Sequence, residues 1–182
     1  MKTRPKLLVA LGTAAVAAAC LALAAAIAVA ALGGGSTEPV KAVTAKFHDL
    51  ATAKQSGYGL LKDKHGIACI AMDSMPGMGA MGIHYAKPKL VGDGRIDPLT
   101  PEALVYAPTN GTLSLAAVEY VVLKKDWAAK HAARPALFGH RFNFTPAGNR
   151  FGLPAYYSLH AWIWKHNPAG EFAMWNPEVS CK

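Results

Sequence analysis

Two histidines and a glutamate stand where apolar side chains would be expected: His84 in "GIHYA", Glu119 in "AAVEYVVL" and His160 in "YYSLHAWIW". A carboxylate or imidazole inside an apolar strand must meet a cation, a metal ion or hydrogen-bond donors, or else change its protonation state. Neighbouring antiparallel strands bring residues on one face within a few ångströms of each other. If the three strands are neighbours in register, these residues form the donor set of a zinc, copper or iron site. Each taken alone has a plainer reading. A single strand histidine is a satisfied core residue, and Glu119 is one half of an ion pair with Lys or Arg. No close-spaced ligand motif such as H-E-x-x-H accompanies them.

The elements that must position these residues are legible around them. In "ALVYAPTNGTLSLAAVEYVVL", Asn110-Gly111 lies between two strand-like runs and predicts a hairpin with a type I′ turn. A regular register from that turn sets Leu104 opposite Ala117, Tyr106 opposite Leu115 and Glu102 opposite Glu119. Glu119 then continues the face of Leu113, Leu115 and Ala117, while Ala116, Val118, Tyr120 and Val122 make the other face apolar, so Glu119 is expected to be buried. Glu102, which follows Pro101 at the strand entrance, reads as solvated, which weakens a paired-carboxylate acid/base site. Alternation in "YYSLHAWIW" places His160 on a face with Tyr156, Ser158, Trp162 and Trp164. With Trp175, the aromatics Tyr156, Trp162 and Trp164 are also the candidates for a metal-free surface binding a small apolar ligand or a cell-envelope partner. No catalytic motif of the G-x-S-x-G, P-loop or S-x-x-K type is present, and no catalytic residue is assigned.

Just before His84 runs "IACIAMDSMPGMGAMGIHY", with Met72, Met75, Met78 and Met81 at three-residue spacing. Gly77, Gly79 and Gly82 in it match G-x-G-x-x-G, but Gly82 leads into a strand rather than opening a helix, so a dinucleotide loop is excluded. Met75-Pro76-Gly77-Met78 predicts a type II turn that brings two thioethers together. Thioethers select Cu(I). Met75 and Met78, with His84 following, are therefore a candidate soft-metal loop, against the plainer reading of methionine as flexible packing.

The chain opens with Lys2, Arg4 and Lys6 ahead of an uncharged apolar run from Leu7 to Leu32. This is the pattern of a signal peptide, with "AVA" at 28–30 for cleavage, or of a membrane anchor, since the run is long enough to span a bilayer. Cys20 in "VAAAC" offers lipidation as a third route. All three place the rest of the chain outside the cytoplasm, secreted or held to the membrane by this segment alone. Removing the three leader residues from the 19 Lys and Arg leaves 16 against 11 acidic residues, without a basic run, which argues against nucleic acid as a partner. Beyond the leader only Cys69 and Cys181 remain, and an oxidising compartment predicts their disulfide. Residues 1–30 are thus read as leader, 31–40 as linker and 41–182 as one domain. Apolar spacing at Val40, Val43, Phe47, Leu50 and Ala51, stopped by Gly57, predicts one amphipathic helix. The fold class is α+β: an N-terminal helix against a mostly antiparallel sheet.

The segments "GIAC", "MGIHY", "DPLTPEALVYAP", "VEYVV" and "GLPAYYSLHAWIWKHNPAGEFAMWNPEVSC" resemble a family of exported bacterial proteins of unknown function, from about residue 41 to the C-terminus. The resemblance implies one exported domain and carries no site residue with it. The functional expectation therefore comes from the residues themselves: an extracytoplasmic protein binding copper or zinc through His84, Glu119 and His160.

Overall fold

The computed structural model describes residues 35–72 and 74–182 of the 182-residue chain, so the expected leader lies outside the described residues. Among the described residues no helix is long and apolar enough to cross a membrane. In the described residues nine strands follow a short helical segment: β1 (Gly59–Leu60), β2 (Cys69–Ala71), β3 (Ala80–Ala86), β4 (Ala103–Thr109), β5 (Thr112–Leu123), β6 (Ala136–Leu137), β7 (His140–Arg141), β8 (Asn143–Thr145) and β9 (Tyr156–Ala161). Seven of them build one sheet in the order β1-β3-β4-β5-β9-β8, with β2 also on β3, and every pairing is antiparallel. The α+β class is as the sequence indicates.

The N-terminal helix is broken where one was expected. It comprises α1 (Glu38–Thr44), a 3₁₀ turn over Ala45–His48, and α2 (Leu50–Gln55). Asp49 causes the restart, because its carboxylate accepts the N–H groups of Ala51 and Thr52 at 3.0 and 3.2 Å and the Thr52 hydroxyl at 2.6 Å. Val43 and Ala51, expected in the apolar stripe, are consequently exposed, while Val40, Phe47 and Ala53 are buried. The expected linker also ends earlier, since α1 starts at Glu38. Two further single turns, α3 (Pro88–Val91) and α4 (Lys124–Ala128), follow strands β3 and β5.

The two faces of the sheet differ in residue size. The helices cover a face built from Tyr85, Leu104, Tyr106, Val118, Tyr120 and Leu159. Buried phenols there find carbonyl acceptors, Tyr106 on Phe47, Tyr58 on Pro101 and Tyr120 on Pro98. The opposite face is lined by small residues, Ala80, Val105, Ala107 and Ala117, and is closed by Trp162 and Val179. The C-terminal segment reaches it through an antiparallel bridge between Asn176 and Ala80 and the Cys69–Cys181 disulfide. Gly79, at φ +74°, has no room for a side chain because the Asn176 carbonyl lies where a Cβ would be. Gly82 is similarly pressed against the Tyr106 carbonyl, so these glycines serve close backbone approach and not a phosphate.

The hairpin has the expected turn, with Asn110 at φ 48° and Gly111 at φ 77°, but not the expected register throughout. Tyr106 pairs with Leu115 as predicted, whereas Val105 pairs with Ala117, which leaves Ala116 as a bulge. The extra residue moves Leu104 opposite Val118 and puts Ala103, not Glu102, opposite Glu119. It also sends Leu115 to the helix-covered face while Ala117 and Glu119 stay on the small-residue face. The freed Ala116 carbonyl accepts the N–H groups of Trp164 and Lys165 at 3.1 and 3.0 Å.

Candidate metal centre

Sheet order and register bring His84, Glu119 and His160 onto one face. Glu119 pairs directly with His160 across β5 and β9. His84 pairs with Val105, two residues along β4 from the Ala103 that faces Glu119, so the imidazole and the carboxylate meet diagonally over β4. Strands lie about 4.8 Å apart, so the two Cα atoms are separated by two strand spacings and only long side chains can bridge them. The Ala103 methyl leaves the space above β4 open for that approach.

The result is a closed polar cluster. His84 Nε2 lies 3.2 Å from His160 Nε2 and 3.5 Å from Glu119 Oε2, and His160 Nδ1 lies 3.5 Å from Glu119 Oε1. One donor atom from each residue can be chosen so that all three lie within 4.8 Å of one another. Two ligands held at about 2.0–2.1 Å by a tetrahedral ion are about 3.4 Å apart. The observed separations straddle that value but use both nitrogens of His160, so an ion held by one of them requires the side chains to rotate. Among the described residues Glu119 has no Lys or Arg partner, and its ionic partners are the two imidazoles.

Burial sets the protonation of the cluster. His84 and His160 are 2% and 0% exposed, and desolvation of the charged form pushes His84 down to about 4, against the opposing pull of the Glu119 charge, and His160 down to about 3. Both imidazoles are therefore neutral around pH 7, the form that ligates metals. Burial pushes the Glu119 carboxyl up, with His84 and the Ser158 hydroxyl acting in the other direction. The Nδ1 atoms of His84 and His160 are buried without a well-aligned hydrogen-bond partner, although the Gly82 backbone acts on His84 by hydrogen bonding. Such orphaned atoms cost free energy that a bound ion at His160 Nδ1, or a small rotation toward Glu119, would recover. Trp162 stacks over His160 with ring centroids 6.0 Å apart.

Other singled-out residues lie elsewhere. Trp164 leaves the His160 face because β9 ends at Ala161, and its indole N–H donates to Thr44 on the helical side at 3.2 Å. Tyr156 and Trp162 are buried and Trp175 is half-buried, so the four aromatics do not form one exposed surface. Glu102, expected in solvent, is 2% exposed; it accepts the Val121 N–H at 3.0 Å, and burial pushes its carboxyl up to about 8. Sequence reasoning missed this because Pro101 and the strand edge suggested exposure. The Met75–Met78 turn forms as predicted, but His84 points to His160 and Glu119 rather than joining the methionines.

Comparison with known proteins adds no assignment: no family model matches the chain, and no curated protein or solved structure is significantly similar to it.

Proposed function

We propose that this chain is an extracytoplasmic metal-binding protein that holds one divalent ion, zinc or copper, between His84, Glu119 and His160. The observation that carries the reading is the convergence of three buried donor groups, with two neutral imidazoles 3.2 Å apart beside a carboxylate. Two imidazoles and one carboxylate suit zinc and copper better than magnesium or calcium, which take oxygen ligands. Burial of all three donors, at 2%, 7% and 0% exposure for His84, Glu119 and His160, favours retention of an ion. A water molecule or the Ser158 hydroxyl would complete the coordination. The disulfide and the signal-like N-terminus support export, in keeping with the exported bacterial family whose motifs the chain resembles.

Metal analysis of untagged full-length chain purified from the exported fraction tests this reading. The expected result is close to one equivalent of zinc or copper that is lost in His84→Ala and His160→Ala. Metal-free protein that takes up neither ion after exposure to both would overturn it.

A further inference from the structure

The methionine loop is a feature of the chain that the buried cluster does not use. The Met75 N–H donates to the Met72 carbonyl and the Met78 N–H to the Met75 carbonyl, each at 3.2 Å, so two turns run end to end with methionine at every corner. Corner Cα atoms of a turn are less than about 7 Å apart, so Met75 has a flexible methionine neighbour on each side, and the Met72 sulfur accepts the Ser74 hydroxyl at 3.4 Å. Packing does not account for them. Met75 and Met78 are 47% and 37% exposed, whereas Met81 in β3 is buried. Beside the loop is a cavity of about 310 Å³ whose lining among the described residues includes Met72, Met75, Pro76, Val179, Ser180 and Lys182; Met78 stands outside it. Thioethers favour a soft monovalent ion over zinc.

We propose that Met72, Met75 and Met78 form a surface site for Cu(I), separate from the buried cluster. Binding needs no redox step when the ion is supplied as Cu(I). The test is an anaerobic titration of full-length Glu119→Gln protein with Cu(I) against a chromogenic Cu(I) chelator, so that loss of the buried site does not mask the loop. One equivalent is expected to bind. Adding Met72→Leu, Met75→Leu and Met78→Leu should weaken it at least about tenfold, while Met81→Leu leaves it unchanged. Unaltered Cu(I) affinity in the triple leucine variant would overturn the proposal, as would equal weakening by Met81→Leu. X-ray absorption of Cu(I)-loaded Glu119→Gln protein supplies a check that needs no loop variant: sulfur scatterers support the site, and nitrogen or oxygen scatterers alone refute it.

Discussion

Replacing Glu119 by Gln separates the metal account from a merely structural one. Glu119 is buried, and burial pushes its carboxyl up; the glutamine amide matches the carboxyl in shape and leaves no charge to bury. Metal-free stability should therefore change by less than about 1 kcal/mol. Metal affinity should change far more, because the variant deletes the only anion of the cluster. Loss of even an outer partner costs 10- to 100-fold, so loss of a ligand is expected to cost at least about 100-fold, or about 2.7 kcal/mol. Proton release gives a sharper signature. Both histidines are pushed down, to about 4 and about 3, so around pH 6 they have no proton to release on binding a metal, and Glu119, whose carboxyl burial pushes up, is the group of the cluster that can release one. Calorimetry in buffers of different ionisation enthalpy should show proton release that grows as pH falls in the wild type and is absent in Glu119→Gln. Equal affinity and equal proton release in both proteins would refute the assignment of Glu119 as a ligand.

Other perturbations probe the surroundings. Ala103→Leu fills the space above β4 between His84 and Glu119, so overpacking should cost about 1–3 kcal/mol in chemical denaturation and abolish metal retention; retained metal would place the contact elsewhere. For Glu102 the folded carboxyl titrates near 8 against an ordinary value of 4.5, so the folded state binds more protons and stability falls as pH rises through that window, by up to about 1.4 kcal/mol per pH unit. Glu102→Gln should thus match the wild type near pH 4.5 and exceed it at pH 9 in urea midpoints, and a parallel pH dependence would show Glu102 to be solvated. Reducing Cys69–Cys181, which spans 112 residues, should lower stability by up to about 5 kcal/mol on the chain-entropy model, read from melts with and without reductant; an unchanged melt would mean that the C-terminal segment is held without it.

Much of this was legible because the signals were local or chemically costly. Asn110-Gly111 marks its turn by its own backbone preference, and the two cysteines beyond the leader have only each other. His84, Glu119 and His160 stood out because polar groups inside apolar strands need partners. What was not legible depended on distant contacts. The Ala116 bulge is held by N–H groups of Trp164 and Lys165, about fifty residues downstream, and a register counted from the turn cannot include it. Nothing near Trp162 announces that β9 stops at Ala161, yet that stop sends Trp164 to the helical face. The break in the N-terminal helix could have been read, since Asp49 followed by Leu-Ala-Thr is a capping sequence inside an otherwise continuous apolar pattern.

The most direct test of the central claim is anomalous diffraction from crystals of untagged protein, with data collected on both sides of the zinc and copper absorption edges. The account predicts a single strong peak in the buried cluster, about 2.0–2.2 Å from one nitrogen of His84, one nitrogen of His160 and a carboxylate oxygen of Glu119. Zinc- or copper-saturated protein with no peak there, and the three side chains bonded only to one another, would contradict it.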